Sequence, residues 1–404
     1  MIDLKIIREN PEVFKKRMKG RVDESVLARL LELDGVKRQK QKIVEEIRSK
    51  QKKIKEVSAG KELKQEKKVH EQELKNISAE LTELLSGIPN IPAEEVPSGK
   101  DEVIKSSGTP SENITLPHWE IGKLLDIVDF ETASAMTASF WPLLKGDGAR
   151  LERALINFFI DENEENDFEP VSVPYLVNRD SVFGTGQLPK FEAELYKVAE
   201  DGLYLIPTGE VPAGNLFRER ILSEDELPLK FQISTPCFRR EAGSWGKLGK
   251  GLVRNHQFHK VEIFEFVKPE NSPAVLEEIV DCVGRILTKL GLPHRIVLLS
   301  SKNMGFSAAK TYDIEVWSAG TGRWLEVSSC SNCMDFQTRR TKTRFRRKTG
   351  EVSYLHSLNG SSLAVGRVFA AICENYWDGS GFVRIPDRLK KFIGKDKIER
   401  RTGK

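Results

Sequence analysis

The chain contains two strand-like segments, FQISTPCFRRE at residues 231–241 and LVRNHQFHKVEIFEFV at residues 252–267, joined by a loop rich in glycine. Apolar and polar residues alternate along both segments, as they do in half-buried β-strands. The pattern predicts a β-hairpin with Arg239 at its base and a cationic loop. An arginine fork suits phosphate or carboxylate oxygens, and Phe258 on the returning strand offers a stacking face. The hairpin therefore suggests an anion site, although a surface hairpin with incidental charges would contain the same residues.

A second array of small residues, LNGSSLAVGR at residues 358–367, opens a largely apolar run. Small residues let the backbone approach a ligand closely, and the run has the period of a helix over Leu363–Tyr376. Arg367 would lie one turn into this helix. A guanidinium in an apolar helix usually has an anionic partner, which is either a ligand or a carboxylate of the protein.

Further patterns surround these two arrays. Helical periods occur at residues 148–161 and 272–290, and another strand pattern begins at His294. The strands do not follow the regular strand–helix–strand rhythm of a parallel sheet. The sequence therefore predicts an α+β fold in which helices flank an antiparallel sheet.

The N-terminal region, residues 24–86, predicts two long helices. Apolar residues recur at spacings of three and four, first at Val26, Leu30, Leu33, Val44, Ile47 and Ile54, then at Leu63, Leu74, Ile77, Leu81 and Leu84. Ser58-Ala59-Gly60 interrupts the pattern and predicts a chain reversal there. Two such helices form an antiparallel coiled-coil hairpin, about 45 Å long for about 30 residues per helix. A helical pair packed as ordinary core is the alternative.

Charge and proline content divide the chain. Lys37–Lys75 contains 14 Lys/Arg against 7 Asp/Glu, a net charge of +7, whereas the whole chain carries only +4. A localised basic segment favours contact with a polyanion. Residues 87–110 contain four prolines and predict a linker. We therefore expect an N-terminal domain at residues 1–100 and a second domain at residues 101–404.

Composition bounds the compartment. The five cysteines are few, odd in number and scattered, which favours a reduced cytoplasmic protein. The N-terminus has no apolar signal region, and the sequence has no run of 18 apolar residues. We therefore expect neither secretion nor insertion in a membrane.

The two arrays together resemble motifs 2 and 3 of class II aminoacyl-tRNA synthetases, and other motifs are similar to those of one branch, the seryl-tRNA synthetase family. These are TGQLPKF at 185–191, TGEVP at 208–212, TPCFR at 235–239, HQF at 256–258, KVE at 260–262, GFSAAKTYD at 305–313 and EVSSCSNC at 326–333. The resemblance covers essentially the whole chain, and so many motifs in the family's order are highly specific. It implies a class II antiparallel sheet and an ATP-dependent ligase that activates L-serine to seryl-adenylate and transfers it to the 3′ end of tRNA(Ser).

The resemblance also implies site residues. Serine would contact Thr208, Gly209, Glu210, Arg239, Glu262 and Ser361. ATP would contact Arg239, Arg240, Glu241, Val253, Phe258, Glu326, Val327, Ser328, Ser329 and Arg367. Glu326 and Ser329 would bind the Mg²⁺ that accompanies ATP, since this hard ion prefers oxygen ligands. Arg239 and Arg367 would be catalytic through alignment and charge neutralisation, because the serine carboxylate needs no general base.

Partners follow from the same resemblance. Residues 167–174 are similar to class II motif 1, which forms the dimer interface in that family, so a homodimer is expected. Two other functions stay open: a paralogue that passes serine to an acceptor other than tRNA, and a catalytically silent scaffold. The basic arm argues against the paralogue, and the intact Arg239, Glu262 and Arg367 argue against the scaffold.

Some residues depart from the family pattern or suggest other chemistry. Gly209 replaces the usual alanine, Arg240 a smaller residue, and Ser362 a glycine, and we expect Ser362 to add a side chain close to the ligands. Cys330 and Cys333 have zinc-like spacing, but two further ligands would be needed, so no zinc is expected. Seven basic residues at 339–348 fit either a solvated strand face or contact with the tRNA acceptor end.

Overall fold

Two units of structure follow one another along the chain, Met1–Glu94 and Glu95–Lys404. The computed structural model describes residues 1–53, 57–242 and 250–400. Most of the glycine-rich loop and Ile54 of the predicted seam therefore lie outside the described residues. No helix in those ranges is both long and apolar enough to cross a membrane.

The first unit consists of helices, and two of them form the predicted antiparallel pair. Its helices are α1 (Leu4–Glu9), α2 (Pro11–Arg17), α3 (Glu24–Lys53) and α4 (Val57–Ser86). Ion pairs join α3 to α4 with opposite numbering: Arg29 to Glu80 at 2.7 Å, Lys40 to Glu73 at 2.6 Å, and Arg48 to Glu71 at 3.0 Å. Exposed pairs of this kind contribute little stability. The apolar seam contributes more, and its buried members are Leu27, Leu30, Leu33, Val44, Ile47, Leu81 and Leu85.

The predicted reversal at Ser58-Ala59-Gly60 is wrong. These residues belong to α4, which begins at Val57. A glycine within a helix costs only about 1 kcal/mol relative to alanine, and tertiary packing readily outweighs that. The glycine was therefore too weak a signal for the end of a helix.

Among the described residues, the second unit has eighteen strands, and eight of them form one large sheet. Its strands are β1 (Glu102–Ser107), β2 (Val128–Asp129), β3 (Leu143–Leu144), β4 (Glu169–Pro170), β5 (Leu176–Val177), β6 (Lys197–Val198), β7 (Leu203–Leu205), β8 (Ile221–Ser223), β9 (Leu229–Phe238), β10 (Gln257–Val267), β11 (His294–Leu298), β12 (Lys310–Ser318), β13 (Arg323–Met334), β14 (Arg344–Arg346), β15 (Val352–Tyr354), β16 (His356–Ala364), β17 (Phe382–Arg384) and β18 (Lys397–Glu399). The large sheet has the order β1-β11-β12-β13-β16-β10-β9-β4, and every pair is antiparallel except β4 with β9. The α+β prediction is confirmed.

Helices cover one face of this sheet. The helices of the second unit are α5 (His118–Leu124), α6 (Phe130–Met136), α7 (Asp147–Glu164), α8 (Arg179–Gly184), α9 (Glu210–Ala213), α10 (Ser272–Lys289), α11 (Phe336–Thr341), α12 (Val365–Asn375) and α13 (Asp387–Ile393). The main core joins α7, α10 and α12 to inward residues of the strands, such as Val261 and Ile263 of β10. Since strand side chains alternate, Lys260 and Glu262 lie on the other face.

The apolar helix begins later than predicted. Leu363 and Ala364 end strand β16, and α12 spans Val365–Asn375. Strand β16 pairs with β10 up to the partners Lys260 and Ala364, so long-range sheet pairing overrides the local helical period.

Candidate active site

A cavity of about 460 Å³ lies against the sheet, on the face that Glu262 and Lys260 share. Among its lining residues are thirteen of the predicted site residues: Thr208, Glu210, Arg239, Glu241, Val253, Phe258, Glu262, Glu326, Val327, Ser328, Ser329, Ser361 and Arg367. They come from the start of α9 and the residues just before it, from the hairpin, from β13, from β16 and from the start of α12. The sheet thus brings together residues that are up to about 160 positions apart in sequence.

Arg239 is held in the cavity by its neighbours. Its Nε donates to the carbonyl oxygen of Pro207 at 3.2 Å, and its guanidinium lies 5.2 Å from the centroid of the Phe258 ring. Its remaining guanidinium donors are available for an anion, because an arginine has five N–H groups. A second cation, Arg367, donates from Nε to the carbonyl oxygen of Val253 at 3.0 Å.

A buried ammonium and carboxylate form one end of the cavity. Lys260 forms an ion pair with Glu262, and its Nζ donates to Thr208 Oγ1 at 2.8 Å. The Thr208 hydroxyl also lies 3.3 Å from Glu262 Oε2. Lys260 was not among the predicted site residues, although its position two residues before Glu262 places it on the same face of the strand. That spacing was the signal that could have identified it.

Glu210 is a second carboxyl group in the cavity, and it is half-buried. It accepts hydrogen bonds from Gln337 Nε2 at 2.5 Å and from Asn359 Nδ2 at 3.2 Å. Burial, and then repulsion from Glu262, raise the pKa of Glu210 to about 7. Gln337 and Asn359 were also missed, because nothing in their local sequence marks them as partners of Glu210.

The raised pKa of Glu210 predicts a pH dependence. Below about pH 7 the carboxyl group is largely protonated, so it cannot pair with an ammonium group, whereas above that pH it can. If Glu210 binds the serine ammonium, KM for serine in pyrophosphate exchange should be about tenfold higher at pH 6 than at pH 8. Glu210→Gln should remove this dependence, and KM for ATP should not follow it. A serine KM that stays constant from pH 6 to pH 8 would contradict this assignment.

Oxygen atoms suited to a hard cation lie around Glu326. Glu326 and Ser329 line the cavity, and Asp313 lies opposite Ser329 on the paired strand. Asp313 Oδ1 is buried without a hydrogen-bond partner among the described residues. Burial, and then repulsion from Glu326, raise the pKa of Asp313 to about 7. An added cation would relieve both effects, so these residues fit Mg²⁺, which usually takes one or two carboxylates together with phosphate oxygens.

Two predicted residues do not contribute side chains to the cavity. Arg240 instead lines a separate depression with Tyr196 and Lys197. Gly209 has no side chain, and an added Cβ would lie 3.2 Å from the Cβ of Glu262, so glycine leaves more room there. Glu241 does line the cavity, and its carboxylate pairs with Arg254.

The expectation for Ser362 is wrong. Its hydroxyl donates to Asn163 Oδ1 at 2.7 Å on helix α7, on the sheet face opposite the cavity. Ser361 faces the cavity, and alternation along β16 turns the next side chain away. Ser362 therefore stabilises the contact between sheet and helix and adds nothing to the ligand side.

Cys330 and Cys333 lie on different faces of β13. Cys330 belongs to the main helical core, whereas Cys333 lines the cavity beside Asn359. Among residues 1–53, 57–242 and 250–400, no three His, Cys, Asp or Glu side chains come together in a way that could hold a metal ion.

The basic cluster at residues 339–348 is engaged within the protein. Arg339 pairs with Asp335, Lys342 with Glu219, Arg347 with Glu270 and Lys348 with Asp225. Arg340 is buried against the rings of Phe183, Phe306 and Phe336. Arg340 therefore has a structural role. The side chains of Lys342 and Lys348 are still mostly exposed, which fits both a solvated face and contact with the tRNA acceptor end.

Comparisons with known proteins agree with this geometry. The family model "tRNA synthetase class II core domain (G, H, P, S and T)" matches residues 191–376, and the model "Seryl-tRNA synthetase N-terminal domain" matches residues 1–92. The chain is 44% identical to the serine–tRNA ligase of Thermodesulfovibrio yellowstonii, over 98% of this chain and 100% of that protein. It is 45% identical to that of Caldicellulosiruptor saccharolyticus, over 99% and 100%.

Solved structures give the same result. The seryl-tRNA synthetase of Pyrococcus horikoshii complexed with ATP superposes with a TM-score of 0.95 at 34% identity, covering 100% of both chains. The cytoplasmic serine–tRNA ligase of Naegleria fowleri in complex with AMP has a TM-score of 0.91 at 29% identity, over 100% of this chain and 99% of that one.

Proposed function

The chain belongs to the seryl-tRNA synthetase family of ATP-dependent ligases, which join serine to tRNA, and from this premise we propose the roles of its residues. One observation supports the division. Arg239, Glu262 and Arg367 line a single cavity, so the two cations and the carboxylate can act on one bound pair of substrates. A cation that faces phosphate and a carboxylate that faces a hydroxyl suit amino-acid activation.

Serine binds at the end of the cavity that contains Lys260. The ammonium group lies between Thr208 and Glu210, and Gly209 leaves room beside it. Glu262 accepts a hydrogen bond from the serine hydroxyl, near Ser361, while Lys260 balances the charge of the carboxylate. Alanine would leave this buried acceptor unpaired, which costs about 1–3 kcal/mol and gives the site its discrimination.

ATP occupies the part of the cavity between the hairpin and helix α12. Glu241 and Phe258 contact the adenine, with Val253 beside them, and Arg367 binds the γ-phosphate. Residues Glu326–Ser329 line the phosphate side. Glu326 and Ser329, with Asp313 behind them, would hold a Mg²⁺ ion, which would supply further charge neutralisation on the phosphates.

The first reaction is attack of a serine carboxylate oxygen on the α-phosphorus, which forms seryl-adenylate and releases pyrophosphate. Arg239 bridges the serine carboxylate and the α-phosphate, so it aligns the two reactants and neutralises charge on the phosphate oxygens. The second reaction is attack by a hydroxyl of the 3′-terminal ribose of tRNA on the seryl carbonyl carbon, which releases AMP. The first step needs no general base, because the serine carboxyl group is already ionised. In the second step the new bond to the ribose oxygen forms as the bond to the AMP phosphate oxygen breaks, and the proton of the ribose hydroxyl passes to the leaving phosphate or to water.

Three further properties belong to this proposal. Helices α3 and α4 form a coiled-coil arm that binds tRNA(Ser), which the net charge of +7 over Lys37–Lys75 supports. Two chains form a homodimer through residues 167–174, where β4 lies at the edge of the large sheet and the adjacent Tyr175 and Leu176 are each 43% exposed. The protein works in the reducing cytoplasm, which five free cysteines support.

Serine-dependent exchange between pyrophosphate and ATP, followed by charging of purified tRNA, tests the function. We expect both activities. Exchange without charging would favour a paralogue with a different acceptor, and the absence of exchange would favour a scaffold. Exchange that is equally fast with alanine would contradict the hydroxyl pocket.

A further inference from the structure

The peptide Leu252–Val253, where the chain returns from the glycine-rich loop to β10, is held by side chains. The backbone N–H of Leu252 donates to His118 Nε2 at 2.9 Å, and the carbonyl oxygen of Val253 accepts from Arg367 Nε at 3.0 Å. Both residues line the cavity, and both precede the first residue of β10. No sheet ladder therefore fixes this peptide; those two side chains hold its backbone, while the Leu252 side chain packs in the main core.

His118 is buried and bound to a buried carboxylate. Its Nδ1 lies 2.7 Å from Glu374 Oε1, and its backbone N–H donates to the same oxygen at 3.0 Å. The other oxygen of Glu374 accepts hydrogen bonds from the hydroxyl of Ser318 and from the backbone N–H of Gly320. Burial acts to raise the pKa of Glu374, but the hydrogen bonds from His118 and Ser318 outweigh it and lower that pKa.

These partners assign the tautomer of His118. A carboxylate can only accept, so Nδ1 carries the hydrogen atom and donates it to Glu374. Nε2 then has a free lone pair, which accepts from the N–H of Leu252. The neutral imidazole thus connects Glu374 to the backbone of Leu252, with one hydrogen bond at each ring nitrogen.

The imidazole and the backbone of Leu252 are tightly packed against two glycines. Gly251 has φ of +74°, and an added Cβ would lie only 2.0 Å from His118 Nε2. On the other side, an added Cβ on Gly366 would lie 3.2 Å from the carbonyl oxygen of Leu252. Glycine at both positions lets helix α12, the imidazole and the peptide approach this closely.

Helix α12 connects both attachments. Arg367 lies in its first turn and Glu374 near its last residue, seven positions apart or about 10 Å along the axis. Arg367 binds the peptide directly, and Glu374 binds it through His118. The peptide is therefore attached to the helix at two points.

We propose that His118 and Glu374 are positioning residues for ATP. They hold the backbone of Leu252–Val253 in the position in which Val253 contacts the nucleotide and Arg367 reaches its phosphate. This inference rests on the proposed contacts of Val253 and Arg367 with ATP. Neither His118 nor Glu374 lines the cavity, so they act through the peptide and the helix.

Two substitutions of His118 separate its two hydrogen bonds. The amide nitrogen of asparagine can replace Nδ1, so His118→Asn keeps the donor to Glu374 and loses the acceptor for Leu252. The amide oxygen of glutamine can replace Nε2, so His118→Gln keeps the acceptor for Leu252, and residue 118 stays bound to Glu374 through its backbone N–H. In pyrophosphate exchange we expect His118→Asn to raise KM for ATP about tenfold, with KM for serine nearly unchanged, and His118→Gln to stay within about threefold of the wild type.

Amide hydrogen exchange gives a readout independent of activity. In the full-length protein without ligands, a peptide fragment that contains Leu252 and Val253 should exchange faster in His118→Asn and at the normal rate in His118→Gln. His356→Ala is the matched control, because His356 is also buried and bonds to Ser272 Oγ but does not line the cavity. It should lower the melting temperature and leave KM for ATP unchanged.

Three outcomes would overturn the proposal. If His118→Asn lowers only the melting temperature, the pair is structural. Equal rises in KM for ATP in both His118 variants would show that the bond to Leu252 is not the cause. Normal amide exchange at Leu252 in His118→Asn would show that the peptide is held in another way. A wild-type protein without exchange activity would instead contradict the proposed function, and the amide measurement would still test the geometry.

Discussion

Replacing Glu262 with glutamine is expected to lower kcat/KM for serine by about 100-fold in pyrophosphate exchange, with KM for ATP changed much less. Glu262 is 2% exposed and is paired with Lys260, so the substitution removes a buried negative charge, the proposed acceptor for the serine hydroxyl. It also leaves the Lys260 ammonium unbalanced, beside the place where the serine ammonium binds. Both effects weaken serine binding, and discrimination against alanine should fall with it.

Glutamine is a sharper test than alanine at this position. Both substitutions break the buried ion pair with Lys260, but alanine would also leave a cavity where the side chain was, whereas glutamine fills nearly the same volume and keeps one acceptor oxygen. Glu265→Gln is the matched control, since Glu265 is a buried glutamate on the same strand, three residues further on and facing away from the cavity. Nearly normal kcat/KM for serine in Glu262→Gln, or an equal loss in Glu265→Gln, would remove our account of the hydroxyl pocket.

Deleting Lys37–Lys75 is expected to abolish tRNA charging and to spare serine-dependent pyrophosphate exchange. The ion pair of Lys40 with Glu73 shows that residues near 36 and 76 face each other across the helical pair, so a short glycine–serine link can join the cut ends. The deletion removes the +7 segment, while every residue that lines the cavity lies in the second unit. Adenylate formation should therefore continue.

A charge-only variant separates tRNA binding from the loss of the helices. Replacing the exposed Lys50, Lys64 and Lys68 with glutamine should raise KM for tRNA and weaken its dependence on salt, because fewer phosphate contacts release fewer counterions. The same change at the exposed Lys100, Lys123 and Lys302 of the second unit is the control. Charging at unchanged efficiency in the deletion variant would show that the arm does not bind tRNA.

Local sequence patterns predicted much of the fold. The period of three and four residues predicted the helical pair, and alternation predicted β9 and β10, because each pattern depends on neighbours in sequence. The ends of elements were less predictable. Helix α4 runs through Gly60, and β16 continues through Ala364, since contacts with distant segments outweigh weak local preferences.

The residue types of the cavity followed from motifs, but their directions did not. Ser361 and Ser362 are the same residue type, yet Ser361 lines the cavity, whereas Ser362 bonds to Asn163 on α7. Arg239 and Arg240 separate in the same way, into the cavity and into a depression beside it. A strand turns successive side chains to opposite faces, so the register of the whole sheet decides which member of each pair reaches a ligand.

The order of amino acids thus defined the family and predicted most of the residues that line the cavity, because each motif is a short local signal. Long-range packing alone placed Thr208 beside Lys260, set Glu210 between Gln337 and Asn359, and connected Glu374 to Leu252 of the cavity lining through His118. Burial, charge balance and hydrogen-bond partners are properties of the assembled sheet and helices, and no single stretch of the chain contains them.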